Sequence, residues 1–396
     1  MKGFNHKRRF TSFRIIILGF AAVILIGSLL LMLPISSQNK CVTPFFDAIF
    51  TATSAVCVTG LVVQDTATYW SYFGQAVILL LIQIGGLGVI TVAASFALLS
   101  GRKISLMQRS TMQEAMAAHK VGGIVKLTGF ILKMTFVIEL LGALVMMPVF
   151  CGNYGTKGIW MSFFHSISAF CNAGFDLMGT PDGKYASLTA MASNPLVNIT
   201  IMVLIVVGGI GFLTWDDVRC NRHHLKRYSM QSKVILLTTA ILIIVPAVFF
   251  FIFEFNEAAL GDRVLFSLFQ SITPRTAGFN TVDFNTMTGA GIAIIIVLML
   301  IGGSPGSTAG GMKTTTAAVL FMNALSVFRK KDDTEIFDRR IDAGVVRNAA
   351  TVLMMYITLF FGGAVVISVA EGISIGTCIF ETASAVGTAG LTLGIT

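Results

Sequence analysis

The chain has 396 residues, 55% of them hydrophobic and 12% charged, with a formal net charge of +9 and a mean hydropathy of +0.82. A soluble domain carries roughly 25% charged residues, so composition excludes ordinary soluble domains and points to a membrane protein. The six cysteines, at 41, 57, 151, 171, 220 and 378, form no CxxC or Cys/His spacing, which argues against a disulfide scaffold or a zinc site.

The first hydrophobic run, Phe13 to Pro34, is long enough to span about 30 Å of hydrocarbon as a helix. It follows the basic stretch MKGFNHKRRF, so a signal peptide competes. Its apolar core exceeds the roughly 7–15 residues of such peptides and no A-x-A site follows, which favours a retained helix. Further runs lie near 75–99, 125–150, 195–214, 233–253, 290–303 and 346–370. Basic residues cluster at the N-terminus (Lys2, Lys7, Arg8, Arg9, Arg14) and around Arg102–Lys126, Arg219–Lys233 and Arg329–Arg347. Two hydrophobic runs separate each cluster from the next. Basic loops stay in the cytoplasm, so all four clusters are expected inside. The segments carrying Asp65, Asp176, Asp182 and Asp283 are expected outside. This placement, not nucleic-acid binding, accounts for the charge.

Four phrases repeat: TATSAVCVTG, SISAFCNAG, SITPRTAG and ETASAVGTAG. They close at Gly60, Gly174, Gly278 and Gly390, at intervals of roughly 110 residues, the mark of one supersecondary unit used several times. Each phrase ends an amphiphilic run of about 10–14 residues, too short to span and suited to a re-entrant half-helix. Each unit has an apolar helix, the half-helix, the glycine loop and a second apolar helix. The second helices share Gly-Gly pairs at 85–86, 208–209 and 302–303. The predicted fold is an all-α membrane protein of four such units around a central pore, with bounds 1–100, 101–220, 221–325 and 326–396. After Gly390 only LTLGIT remains. The fourth unit therefore has no second helix, and the chain is expected to be a C-terminally truncated form whose last loop lacks a wall.

Extended backbone cannot face lipid, but it can line a water-filled cavity. A ring of backbone carbonyls can replace the water shell of a small cation. Carbonyls turn inward from one strand only if some residues take positive φ, which glycine does without steric cost. The half-helix C-termini, each equivalent to about −0.5 e, favour a cation between them. Asp65, Asp176 and Asp283 follow three of the glycines, as cation-concentrating acids at a mouth or as ordinary solvated loop acids.

The third second helix is interrupted by GGSPGSTAGGMKTTT, residues 302–316. It approaches a phosphate-binding loop, but Met312 separates Gly311 from Lys313 and no strand precedes it, so nucleotide binding is not expected. The glycines, Pro305 and hydroxyls cannot hold a regular helix. A flexible intramembrane loop below the filter is expected, with glycine packing as the alternative. Lys133 and Glu139 lie inside an apolar run; Lys133 can snorkel, whereas Glu139 needs a partner or a polar face away from the pore. His165 reads as a packed or hydrogen-bonded histidine, not a metal ligand.

The phrases SAVCVTGL, SAFCNAGFDLM, TPRTAGFNTVD and SAVGTAGLTLG, with GGSPGSTAGGMKT, resemble the Trk/Ktr/HKT superfamily of potassium transporters, most closely the KtrB-like membrane subunits. The resemblance covers nearly the whole chain. It implies a potassium selectivity filter at Val58, Thr59, Gly60, Asn172, Ala173, Gly174, Thr276, Ala277, Gly278, Thr388, Ala389 and Gly390, with potassium held at the glycines. Members with serine in the first loop tend toward sodium, so Gly60 favours potassium. It implies a gate at Gly302, Gly303, Ser304, Pro305, Gly306, Ser307, Thr308, Ala309, Gly310, Gly311 and Lys313. It also implies a homodimer in the bilayer of the bacterial inner (plasma) membrane, N-terminus cytoplasmic, on a cytosolic ring of RCK-type subunits. Those separate subunits would hold the nucleotide; no cofactor is expected here. The family continues with a fourth second helix carrying a basic residue that has no counterpart in this chain. An ion-coupled secondary transporter, a potassium/sodium symporter, is the competing reading, and the parallel sense of the units argues against it. No HExxH, GxSxG or His/Asp cluster suggests an enzyme.

Overall fold

The computed structural model describes residues 12–89, 91–93, 106–115 and 123–394. The N-terminal basic residues 2–9, Arg102, Lys103 and Lys120 of the second cluster, and the 94–99 end of the second hydrophobic run lie outside the described residues. The chain is an all-α membrane protein. Among the described residues, four helices are long and apolar enough to cross a membrane unbroken: α1 (Ser12–Met32), α5 (Ile124–Tyr154), α9 (Met230–Phe249, extended by a π turn over Phe250–Glu254) and α13 (Ala343–Glu371). Each is packed against the short helix that follows it: α2 (Phe45–Val56), α6 (Lys157–Phe170), α10 (Leu260–Ile272) and α14 (Ile375–Gly387). These short helices have 12, 14, 13 and 13 residues, about half a membrane span.

The second helices differ from expectation. The sequence suggested plain apolar spans in the first two units and an interruption only in the third. All three are broken: the first two just past their Gly-Gly pair, the third just before it. In the first unit α3 (Tyr72–Leu87) stops at Gly88, φ +83°, and the chain is helical again at 91–93. In the second, α7 (Pro195–Gly209) and α8 (Phe212–Asn221) meet at Gly211, φ +92°, with a 94° bend. In the third, α11 (Gly289–Leu300) and α12 (Thr314–Phe328) are separated by residues 301–313. The reason is close approach. A Cβ at Gly85 would strike Val56 O, and one at Gly208 would strike Phe170 O, the last residues of α2 and α6. Gly85 and Gly208 let the second helices of the first two units touch the end of their own half-helix, and the positive-φ Gly88 and Gly211 then turn the chain away.

A short helix, α4 (Leu106–Ala115), lies between the first and second units. A two-stranded hairpin, β1 (Glu335–Ile336) and β2 (Arg339–Arg340), precedes α13. Helix starts are set by local caps: the side chains of Ser71, Asn194, Ser229, Thr288, Asp342 and Ser374 each accept a first-turn N–H. Among the described residues, one core joins the first two units and the half-helix of the third, from Leu31 and Ile78 to Phe150, Phe170 and Phe269. A second joins the last two, around Phe250, Phe284, Met299, Phe360 and Phe380.

Candidate ion-binding site and intramembrane loop

The four phrase-ending glycines lie against one another. All take positive φ: +88° at Gly60, +70° at Gly174, +76° at Gly278 and +78° at Gly390. Each faces the next unit in chain order. A Cβ on Gly60 would sit 2.6 Å from Ala173 O, on Gly174 2.8 Å from Ala277 O, and on Gly278 2.8 Å from Ala389 O; on Gly390 it would strike Thr59 O, closing the circuit. The structure thus brings together all four glycines and the carbonyls of Thr59, Ala173, Ala277 and Ala389. No larger residue fits at any glycine without displacing a carbonyl.

The residues two before the glycines also take positive φ: Val58 at 52°, Asn172 at 57°, Thr276 at 66° and Thr388 at 52°. The sequence expectation named only glycine as taking this conformation without steric cost, and these four residues are not glycine. For β-branched Val58, Thr276 and Thr388 it is a strained state, costing on the order of 1–3 kcal/mol each, held only where the surroundings over-determine it.

The hydroxyls of the phrases do part of that holding. Gly60 N donates to Ser54 Oγ at 3.1 Å. Ser168 Oγ donates to Phe175 O at 2.7 Å, and Thr273 Oγ1 to Phe279 O at 2.6 Å. Backbone bonds add to this: Thr59 N to Ser54 O, Ala173 N to Ser168 O and Ala389 N to Ser384 O, each 2.8 Å, and Ala277 N to Thr273 O at 3.0 Å. Each loop is stitched to the end of its half-helix, which aims its C-terminal partial charge at the ring.

On one side of the ring is a cavity lined by all four glycines, Asp65 and Asp176. Asp65 is not a solvated loop acid: it is buried and accepts from Thr68 N and Oγ1 at 2.9 and 2.7 Å and from Tyr185 N at 2.9 Å. Asp176 is half-buried, and burial, with Asp65 nearby, raises its carboxyl to about 7. Asp283 lies outside the cavity; exposed, it caps a turn by accepting from Asn285 N and Nδ2.

On the other side lies the interrupted helix. Its loop folds back on itself, with Gly302 N donating to Met312 O at 2.9 Å and Gly303 N to Gly310 O at 3.2 Å. Lys313 Nζ donates to Ala309 O at 2.8 Å and Gly310 O at 3.4 Å, so the ammonium is tied into its own loop. Thr308 Oγ1 donates to Phe170 O at 2.9 Å and lies 3.2 Å from Asn172 Oδ1. Gly310 is packed against the Thr388 side chain, and Gly311 against Gly387 O. The loop therefore touches the left-handed residues of the second and fourth units. It also pairs with the backbone exposed by the second unit's bend: Phe212 N donates to Gly306 O at 2.7 Å, Ser304 N to Gly209 O at 3.0 Å and Thr308 N to Gly208 O at 3.3 Å.

Glu139 is buried and has partners away from the ring: Gln83 Nε2 donates to it at 3.3 Å, and Cys171 Sγ lies 3.9 Å away. Lys133 is exposed.

The sequence matches the TrkH "Cation transport protein" family over residues 4–396. It is 40% identical to the potassium/sodium uptake protein NtpJ of Enterococcus hirae, over 98% of this chain and 87% of that protein. It is also 40% identical to Ktr system potassium uptake protein B of Bacillus subtilis, with the same coverage, and 34% identical to that of Vibrio alginolyticus, over 97% of this chain and 84% of that one. The fold superposes on the potassium transporter TrkH of Vibrio parahaemolyticus with TM-score 0.76 at 18% identity, covering 100% of this chain and 79% of the other. The chain belongs to the TrkH family of cation transport proteins.

Proposed function

We propose that the chain is the potassium-selective, ion-translocating subunit of a Ktr/Trk-type uptake system. The observation that carries this reading is the closed circuit of four glycines and the four carbonyls between them. Such oxygens can take over the hydration shell of a cation, and the half-helix C-termini favour its charge. The names of the relatives supply the ion: they are potassium uptake proteins. Positive-inside loops put the cavity with Asp65 and Asp176 outside and the 302–316 loop inside. Lying across the inner exit, that loop is the gate. It opens by leaving the Thr308 and Gly310 contacts, without unfolding a helix.

The "Ktr system" of the relatives' names supports assembly with further components. We assign these as a second copy of the chain and a cytosolic ring of RCK-type nucleotide-binding subunits on the basic face. A symport reading draws on the potassium/sodium name of the Enterococcus relative. Potassium flux into liposomes under a fixed gradient separates the two, because symport requires a stoichiometric dependence on sodium.

The test of the filter is Gly278→Ser. The new Cβ falls 2.8 Å from Ala389 O at a φ of +76°. Potassium/sodium discrimination should drop roughly tenfold, equivalent to about 1.4 kcal/mol. Unchanged discrimination would remove the glycines from ion selection.

A further inference from the structure

A second tier of contacts stands behind the ring. Past each glycine the chain runs outward, and in three units a buried polar side chain from the half-helix reaches across to that outgoing strand. In the second unit Leu177 N donates to His165 Nε2 at 3.3 Å; the opposite nitrogen, Nδ1, therefore carries the proton and donates to Met161 O at 2.7 Å. In the third, Gln270 Nε2 donates to Thr281 Oγ1 at 3.1 Å. In the fourth, Glu381 Oε1 accepts from both Leu393 N, at 2.8 Å, and Thr392 Oγ1, at 2.7 Å. His165 and Glu381 occupy the same position relative to Gly174 and Gly390, and Leu177 and Leu393 likewise. The first unit places its contact further out, with Gln64 Nε2 donating to Asp47 Oδ2 at 2.9 Å.

The fourth unit depends on this tier most. In the other three, a hydroxyl at the end of the half-helix bonds the loop: Ser54, Ser168 and Thr273. Ser384 stands where Ser54 and Ser168 stand, yet its Oγ is buried with no hydrogen-bond partner among the described residues. Thr388 is nonetheless held at φ +52°. What the fourth loop lacks in hydroxyl bonding it has in Glu381, a carboxylate 4% exposed whose one oxygen takes two donors. A carboxylate is an acceptor-only group when ionised, both partners are donors, and charge-assisted bonds are about twice as strong as neutral ones.

We propose that Glu381 is a positioning residue for ion selection: it fixes the outgoing strand of the fourth loop, and with it the place of the Ala389 carbonyl and Gly390 in the ring. The inference rests on the glycine ring being the selectivity filter. In this arrangement Glu381 acts on the ring through Thr392 and Leu393.

The test measures potassium and sodium uptake by the full-length protein in transport-deficient cells, with assembly followed by gel filtration and thermal melting. Glu381→Ala should lower the potassium/sodium ratio by about tenfold, the scale of one hydrogen bond to a charged group, while assembly persists. Glu381→Gln keeps an acceptor oxygen and should recover part of the ratio. Thr392→Val removes one donor and should lower it by roughly threefold, and adding it to Glu381→Ala should lower it no further, as coupled neighbours behave. An assembled Glu381→Ala protein with the original ratio overturns the proposal. If that variant fails to assemble, an unaltered ratio in Thr392→Val overturns it instead. Gly278→Ser is the parallel control. If it too leaves the ratio unchanged, the filter reading itself is wrong; if it lowers the ratio while Glu381→Ala does not, only the positioning role falls.

Discussion

The second helices of the second and third units share a Gly-Gly pair, yet they break differently. Between α7 and α8 the chain turns through Ile210 and Gly211 alone. Between α11 and α12 it spends residues 301–313. A helix broken within a membrane exposes N–H and C=O groups that water cannot satisfy there. The tight bend leaves Gly208 O, Gly209 O and Phe212 N exposed, and the long loop meets all three with Thr308 N, Ser304 N and Gly306 O. One break thus completes the other. If the loop is the gate proposed above, the bend supplies the partners it would leave and regain.

Removing the long loop is the strongest way to break this pairing. Deleting Gly306–Gly311 takes away the contacts to Asn172 and Thr388 and the partners of Phe212 N and Gly208 O. Potassium flux should rise about tenfold or more, the change expected when a closed state favoured by about 1.4 kcal/mol is lost, with a lower melting temperature from the orphaned backbone. Flux at the native level, with partner binding intact, would make the loop a packing element and not a gate.

A smaller effect compares the two hinge glycines. At Gly211 an added Cβ sits 2.7 Å from Pro305 O at φ +92°, whereas at Gly88, φ +83°, the nearest atom is Thr91 Oγ1 at 3.8 Å. Gly88→Ala should cost only the left-handed backbone penalty of about 1–2 kcal/mol. Gly211→Ala should cost more and also raise flux, because it pushes the loop. Equal melting temperatures for the two variants would mean that the loop is not seated on the bend.

Thr308→Val tests a single latch. It removes the bond to Phe170 O, worth about 1 kcal/mol. Flux should increase by roughly fivefold at most if the latch belongs to the closed state. A fall in flux would assign the bond to the open state.

The smallest effect lies on the other side of the ring. Asp176, raised to about 7 mainly by burial, loses its charge as pH falls through that value. Uptake at low potassium should therefore weaken modestly from pH 8 to pH 6, and Asp176→Asn should flatten this profile near its acid limb. An unaltered pH profile in Asp176→Asn would assign the dependence to another group.

The all-α membrane fold was legible from hydropathy and from basic loops recurring every two runs. The family was legible from four phrases in register. The closure of Gly60, Gly174, Gly278 and Gly390 into one circuit was not, because a repeat period says nothing about who touches whom. The left-handed Val58, Thr276 and Thr388 were invisible for a sharper reason: local propensity disfavours that state in β-branched residues, and only tertiary bonding holds it. The bends at Gly88 and Gly211 had a signal, GGLG and GGIG, but an apolar run reads as a straight span unless the packing against Val56 and Phe170 is known. For Asp283 the solvated-acid alternative is the one that holds: its distance from Gly278 equals that of Asp65 from Gly60, yet it caps an exposed turn instead of lining the cavity.

The circuit of glycines also constrains how the protein comes into being. Gly60 meets Gly174, and Gly174 meets Gly278, each in its sequence neighbour's unit, but Gly60 also meets Gly390 from the opposite end of the chain. During synthesis, which runs from the N-terminus, three quarters of the ring can be laid down in order while its last side stays open. The entropic cost of joining distant ends grows only slowly with the length between them, so this final contact is delayed far more by waiting for the fourth unit to emerge than by free energy. Until it does, the first and third units present unclosed backbone to the bilayer. A ribosome stalled after the third unit should therefore yield an inserted chain whose Cys57, three residues before the unclosed Gly60, reacts faster with thiol reagents than it does in the finished protein.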